Sequence, residues 1–425
     1  MEWQYGSHDT NGKTYLQNRF TFYSNEHIME LMKHGANMHT TILNQDLMTL
    51  RQAFLDAGRD IRLVGGVVRD LIMGQTPKDI DLCTDATPDE QHAIYMNAGL
   101  QYVDTGIDHG TITVVMNGEG YEITSLRTES QHDGRHAVVA FTRDWTEDLS
   151  RRDLTINAIS MTFDGEIHDP FGGVQDIENN VVRFVGNPQE RMTEDYLRIM
   201  RYFRFLGRMA GERDEDYDRY LDIKIDPVTV NAIYQCVDGL AGVSAERIWV
   251  ELKKIVAHPS AFVVLTHMKR LGVFSPARIP YSLDPDEVHD AGVGVGINDP
   301  IVILASCLDK SAVRKISTDL KWSSEEVKWA LEFQRMREHT AEDLFREVIL
   351  NGTRTDHASK VARLNGYHYV ATLLTQPLPV CPVNGATLAA RGMKPGPEMG
   401  KALRDVKVRW YESGCSMTAE DLMNG

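Results

Sequence analysis

In "NQDLMTLRQAFLDAG" (residues 44–58), apolar positions return every three or four residues. That spacing predicts an amphipathic helix with Asn44 or Asp46 near its start. The rhythm then changes. "IRLVGGVVRDLIMG" reads as a strand, a Gly-Gly turn and a helix, while "DIDLCT", "HGTITVVMNG" and "GYEITSLR" read as strands. The Asn117-Gly118 pair between the last two predicts a hairpin. "RRDLTINAISMTF" reads as helix then strand, and "DPFGGVQDIEN" as a Gly-rich turn entering a helix. Ahead of all this, "RFTFYS" suggests a short strand and "EHIMELMKHG" a helix, neither with attached chemistry. From about residue 187 onward the strand signals fade and helical periodicity dominates, most clearly in "TEDYLRIMRYFRFLGRM" and "SAERIWVELKKIVAH". The Pro-rich "QPLPVCPVNG" marks the boundary of a last segment. The expected class is α+β: a small mixed sheet with helices, then an elongated, all-helical remainder.

Composition changes this picture little. A chain of 425 residues is too long for one core, so two to four domains are expected. No apolar run approaches the roughly 20 residues that span a bilayer. The first residues resemble neither a signal peptide nor a mitochondrial presequence, and the cytoplasm is the expected location. Cys83, Cys236, Cys307, Cys381 and Cys415 are scattered without a CxxC pair, which argues against zinc or disulfides. The net charge of −16 at first counts against a nucleic-acid partner. Phosphate contacts need only local basic surface, however. Residues 183–208 hold six arginines against three acids, and residues 391–409 six basic residues against two acids. The acidity lies elsewhere, as in "ERDEDYDRYLDIKID".

The densest chemistry is in "LVGGVVRDLIMGQTPKDIDLCT" (residues 63–84). On a strand, positions i and i+2 share a face, so Asp79 and Asp81 would project together from Cα atoms about 6–7 Å apart. Such a pair can share two hard cations about 3.5–4 Å from each other, and magnesium suits it because it leaves positions for substrate phosphates. Gly65 and Gly66 would let backbone approach a triphosphate, and Arg69 could add charge-assisted bonds. Glu122, on a third strand, could complete a carboxylate triad. In "RRDLTINAIS", Asp153 and Asn157 could hydrogen-bond ribose hydroxyls. Taken alone, the segment reads better as Asp153 capping a helix with Arg151 paired to Glu147 or Asp148. In "EDYLRIMRYFRF", Tyr196, Ile199, Phe203 and Leu206 form an apolar stripe, while Asp195, Arg198, Arg201 and Arg204 step by three. Alone, that is a salt-bridged surface helix. It could also read bases, since an aspartate accepts from the amino group of cytosine or adenine and an arginine donates to a base acceptor.

Together these stretches resemble the DNA polymerase β-like nucleotidyltransferases, in the branch of class II CCA-adding tRNA nucleotidyltransferases and bacterial poly(A) polymerases. "LVGGVVRD…KDIDLCT" is similar to the family signature, "RRDLTINAIS" to its ribose-selecting motif, "DPFGG" to its head–neck hinge and "EDYLRIMRYFRF" to its base-selecting motif. "SAERIWVELKKI" and "VNGATLAARGMKPGPEMGKAL" match body and tail elements, so the resemblance covers about residues 45–410. It implies addition of C, C and A to a tRNA 3′ end from CTP and ATP, with two Mg²⁺ ions at Asp79 and Asp81 and a carboxylate such as Glu122 near the attacking hydroxyl. It implies that Arg152 contacts nucleotide and that Asp153 and Asn157 read the ribose. Asp195 and Arg198 would form a protein template, braced by Glu194, with Arg201 and Arg204 at the triphosphate or base. "TESQHDGRHAVVAFTRDW" resembles the flexible loop used in the switch from C to A addition. Lys394, Gly396 and Lys401, with Gly400 nearby, would grip the acceptor arm of tRNA through phosphates.

The implied division is an N-terminal extension (1–44), a catalytic head (45–172), a base-recognising neck (173–240), a helical body (241–375) and a tRNA-binding tail (376–425). A bacterial-type poly(A) polymerase and an A-adding enzyme share these head motifs and stay open, although the acidic ending "YESGCSMTAEDLMNG" disfavours the former. A non-catalytic RNA-binding relative would be expected to lack one of the carboxylates. His289-Asp290 reads as a chance pair.

Overall fold

The computed structural model describes residues 42–129, 139–210 and 224–424. The expected strand in "RFTFYS", the helix in "EHIMELMKHG", the middle of the 128–145 loop and most of the acidic run lie outside them. The chain divides into two compact units, one ending at Arg191 with Lys224–Asp226 added, the other holding Met192–Ile223 and Pro227–Gly425.

Among the described residues the first unit's first named helix is α1 (Gln45–Asp56), capped by the Asn44 side chain, which accepts from the Leu47 N–H at 2.9 Å. Then follow β1 (Ile61–Val64), α2 (Gly66–Ile72), β2 (Asp81–Thr84), α3 (Pro88–Ala98), β3 (Gln101–Gly106), β4 (Thr111–Met116) and β5 (Glu119–Ser125). β6 (Arg127–Glu129) pairs with β7 (Val139–Phe141), and α4 (Trp145–Ser150), β8 (Ser160–Met161), β9 (Ile167–His168), α5 (Gly173–Glu178) and β10 (Val181–Val182) complete the order. The main sheet runs β3-β4-β5-β2-β1-β8-β9, antiparallel except where β2 lies parallel to β5. Asn117 and Gly118 both adopt positive φ, 51° and 87°, between β4 and β5, the conformation that a two-residue hairpin turn matched to strand twist requires.

Leu63, Leu82, Ile112 and Ile123 fill the sheet's core, with Phe54 of α1 edge-on to Tyr95 of α3 at 5.9 Å. A buried polar relay closes it: Tyr95 donates to Gln91, Gln91 to Ser125 at 2.8 Å, and Ser125 to the Ala86 carbonyl at 2.7 Å. Every polar group in that relay is satisfied, as burial demands.

In the second unit the helix expected over 194–206 is interrupted. α6 (Pro188–Glu194) stops, Asp195 and Tyr196 intervene, and α7 (Leu197–Met209) begins afresh. The cause is local: the Asp195 carboxylate accepts from the Leu197 N–H at 3.1 Å and competes with continuation of the helix. Nor is α7 a surface helix, because nine of its thirteen residues are buried, Ile199, Phe203 and Leu206 completely. β11 (Lys224–Ile225) belongs to the first unit, where it pairs parallel with β10; in the second unit the chain resumes at Pro227. α8 (Pro227–Cys236), α9 (Ala245–Val256) and α10 (Ala261–Arg270) follow, and Gly207 lets α7 come close enough for its carbonyl to accept from Ser260 at 2.8 Å. Ten more helices run from α11 (Pro285–Gly292) through α12 (Pro300–Cys307), α13 (Lys310–Asp319), α14 (Ser324–Met336), α15 (Ala341–Asn351), α16 (Thr355–Leu364), α17 (His368–Leu373), α18 (Gly385–Ala390) and α19 (Pro397–Glu412) to α20 (Ala419–Asn424). Around α18–α20, Val383, Leu388, Val406, Trp410 and Leu422 form a separate small core.

One ion pair, its glutamate buried and its arginine half exposed, gives this helical unit an acid-sensitive contribution to stability. Arg335 of α14 donates to both Glu347 oxygens of α15, at 2.7 and 3.0 Å. That bonding outweighs burial and brings the Glu347 pKa down to about 2. A depressed carboxyl pKa contributes stability above its unfolded value and loses it as pH falls through the folded one. The contribution is therefore complete above about pH 4.5 and lost between there and about pH 2. Equilibrium unfolding of Glu347→Gln should lie below wild type at pH 6 and converge with it near pH 2; a constant gap across that range would exclude this pair as the source.

Candidate functional site

β1 ends at Val64, and the chain must turn into α2 at once. Gly65 makes that turn with φ +68°, its N–H bonded to the Ile159 carbonyl at 2.9 Å. A Cβ here would lie 2.6 Å from Arg152 Nη1, so glycine is needed both for the backbone and for the guanidinium packed over it. A Cβ on Gly66 would lie 3.7 Å from Arg69 Nη2. The Gly-Gly turn thus brings two arginines from distant points of the sequence onto one spot.

Each arginine is held. Arg69 is 4% exposed, donates to Asp70 at 2.7 and 3.0 Å, and donates through Nη1 to the Asn157 side-chain oxygen. Asn157 in turn donates to Asp153 at 3.1 Å. Arg152 donates to Asp148 at 3.4 Å and approaches the Cys83 sulfur at 3.7 Å, while its buried Nε has no hydrogen-bond partner. Asp148 is fully buried and also accepts from Arg151 at 2.8 and 3.0 Å and from the Arg127 N–H at 3.1 Å. Burial pushes the Cys83 thiol up to about 12, so it stays protonated and unreactive.

The expected helix through Asp153 is corrected: α4 ends at Ser150, and Asn157 closes a single 3₁₀ turn, Thr155–Asn157. Asp153 accepts from the Leu154 N–H at 2.9 Å instead of capping a longer helix. α5 presses this turn into place, since a Cβ on Gly173 would lie 2.2 Å from the Thr155 carbonyl oxygen. The "DPFGG" aspartate caps the same helix, accepting from the Gly173 and Val174 N–H groups at 2.8 and 2.9 Å.

The carboxylates need a second correction. β2 starts at Asp81, and Asp79 sits in a bend before it. The two remain neighbours electrically. The Asp81 carboxyl lies above its usual value: the protein crowded around it raises it most even though the side chain still reaches solvent, Arg152 lowers it, Asp79 raises it further and Arg69 lowers it. Glu122 is the register partner of Asp81 on parallel β5, and all three carboxylates are exposed. Among the described residues no three His, Cys, Asp or Glu side chains gather into a metal-holding group. The donor set still suits magnesium, which takes one or two carboxylates and fills its octahedron with water and phosphate oxygens.

In the second unit, Arg198 is held by Glu194 one turn earlier. Asp195 is gripped by a residue that sequence reasoning passed over: Arg247 of α9 donates to its two oxygens at 3.2 and 2.7 Å. Arg204 pairs at 2.9 Å with buried Glu251, which anchors it to α9, and lies 4.4 Å from the ring centre of its α7 neighbour Phe205. Arg201 stands 5.9 Å from the same ring. In the tail, Lys394, Gly396 and Lys401 are exposed at the start of α19, and a side chain at Gly396 would meet nothing within 4 Å. Among the described residues no helix is long and apolar enough to cross a membrane.

Residues 61–183 match the poly A polymerase head domain family, and residues 222–277 the family described as "Probable RNA and SrmB- binding site of polymerase A". The chain is 36% identical over 400 residues to CCA tRNA nucleotidyltransferase 1, mitochondrial, of Danio rerio, covering 90% of this chain and 91% of that one. With the Homo sapiens protein of the same name it is 35% identical over 409 residues, 92% of each. The crystal structure of the Bacillus stearothermophilus CCA-adding enzyme in complex with CTP superposes with a TM-score of 0.67 at 26% identity, covering 87% of this chain and 93% of that one.

Proposed function

The chain belongs to the tRNA nucleotidyltransferase/poly(A) polymerase family, and from that premise we propose that it adds C, C and A to the 3′ end of tRNA, using CTP and ATP and releasing pyrophosphate. The observation that carries this reading is the convergence, within the first unit, of Gly65–Gly66, Arg69, Arg152, Asp153 and Asn157 beside Asp81.

Asp79 and Asp81 would hold magnesium, which when bound supplies Lewis-acid stabilisation of charge on the attacking and leaving oxygens. Arg152 and Arg69 face the triphosphate with positive charge, and the glycines keep the backbone clear of it. Asp153 and Asn157 present acceptor and donor atoms to the ribose. Glu122, exposed beside Asp81, orients the incoming 3′-hydroxyl or takes its proton. Asp195 accepts from a base amino group, Arg198 donates to a base acceptor, and cytosine and adenine satisfy both. Arg204 braces this helix from the side. Lys394, Gly396 and Lys401 grip tRNA phosphates, and that grip weakens with salt. In this reading the tasks follow one another along the chain as head, neck, body and tail. Five free cysteines fit a reducing compartment, cytoplasm or mitochondrial matrix alike.

Product sequencing on a tRNA transcript ending at its discriminator base, with Mg²⁺, CTP and ATP, should return C-C-A and then a stop. A ladder of A would mean a poly(A) polymerase, addition only after a preformed CC would mean an A-adding enzyme, and no addition would end the enzymatic reading.

A further inference from the structure

We propose that Arg247 is the specificity-determining positioning residue of the neck: by clamping the Asp195 carboxylate it sets which base edge that carboxylate accepts. The inference rests on the reading of Asp195 and Arg198 as a base-recognising pair. Arg247 comes from α9, 52 residues further along, and meets Asp195 with both ends of its fork, Nη1 to Oδ1 at 3.2 Å and Nη2 to Oδ2 at 2.7 Å. The same Oδ1 accepts from the Leu197 N–H at 3.1 Å, which ties it to the first turn of α7. A free carboxylate turns readily about its last torsion. This one has its plane set by a guanidinium and one oxygen set by backbone.

Stability does not account for the arrangement. The Arg247 side chain is 52% exposed and that of Asp195 32%, and an ion pair so open contributes little to folding. Its consequence is directional. Oδ1 already accepts two bonds, so the oxygen with accepting capacity to spare is Oδ2, which takes only the short bond from Nη2. Arg198 is braced in parallel by Glu194. Acceptor and donor of the reading pair are thus each fixed by a partner of opposite charge. Cytosine brings an amino donor to a fixed Oδ2. Uracil brings a carbonyl, which meets the same oxygen as a second acceptor. That repulsion holds only while the carboxylate cannot turn or swing away, and Arg247 is what prevents it.

The test uses the full chain and compares kcat/KM for CTP and for UTP on a tRNA ending at its discriminator base, with Arg247→Ala, Arg247→Lys and Asp195→Ala side by side. Arg247→Ala should lower the CTP-over-UTP preference by about tenfold or more, a fraction of what a hydrogen-bonding site can achieve. Its unfolding midpoint should match wild type. Arg247→Lys keeps the charge without the planar fork and should restore part of the preference. If Arg247→Ala keeps the wild-type preference while Asp195→Ala destroys it, the clamp is refuted and the base-reading pair stands. A rise in kcat/KM for CTP in Arg247→Ala would also overturn it, because Arg247 would then be competing with the base. If Asp195→Ala leaves the preference unchanged as well, both readings fall together.

Discussion

Replacing Asp79 with alanine should cut turnover by about a thousandfold or more while leaving folding and tRNA affinity near wild type. The size follows from its task, because a metal-held site contributes several kcal/mol of transition-state stabilisation and each 1.4 kcal/mol is about tenfold in rate. The selectivity follows from its place. Asp79 is exposed in a bend ahead of β2, so its removal empties no core and strands no buried partner. Asp81, at the head of a strand and next to two guanidinium groups, would be a less clean choice. Single-turnover CMP addition, read with a filter-binding titration of tRNA and a denaturation curve, separates the three quantities. Activity within a few-fold of wild type would remove Asp79 from the metal site. A parallel loss of tRNA binding would mean that it acts on the RNA instead.

Gly173→Ala should destabilise the first unit by about 3 kcal/mol and take activity down with it. The new methyl would lie 2.2 Å from the Thr155 carbonyl oxygen and 2.7 Å from its carbon, and both are backbone. Thr155 cannot yield easily. Its N–H is bonded to the Arg183 carbonyl at 3.0 Å and its hydroxyl to Asp176 at 2.5 Å, while Asp176 is itself held by Arg183 at 2.9 Å. The strain therefore passes along the 3₁₀ turn to Asn157, the link between Arg69 and Asp153. Urea unfolding should show a lower midpoint with an unchanged slope. A shift below about 0.5 kcal/mol would mean that α5 does not press on the turn.

Much of the first unit was legible before any coordinates. The step from β1 through Gly65 to α2, the Asn44 cap and the Asn117-Gly118 hairpin all follow local rules that act within a few residues. The candidate head-site residues stand out for the same reason, since they occur in short runs whose side-chain chemistry suggests a role. The sequence pattern extends β2 back to Asp79, two residues beyond the strand's start, because Asp79 and Ile80 carry a strand-like alternation outside the paired register. The break between α6 and α7 leaves no mark in the sequence because Asp195 sits in a run of good helix formers, and only its bond to the Leu197 N–H shows which tendency wins.

By itself the sequence determined the α+β class, the helical second half, the family and the short runs from which phosphate, ribose and base roles are proposed. Each depends on periodicity, turn residues or side-chain type over a short span. Tertiary structure decided what those residues hold. It set Arg152 over Gly65, joined Arg69 to Asn157 across 88 residues, buried Asp148 under two arginines and laid Arg247 on Asp195 across 52. A charged side chain far along the chain leaves no periodic mark. Which opposite charge it meets is settled only when packing brings two distant helices or turns within about 3 Å.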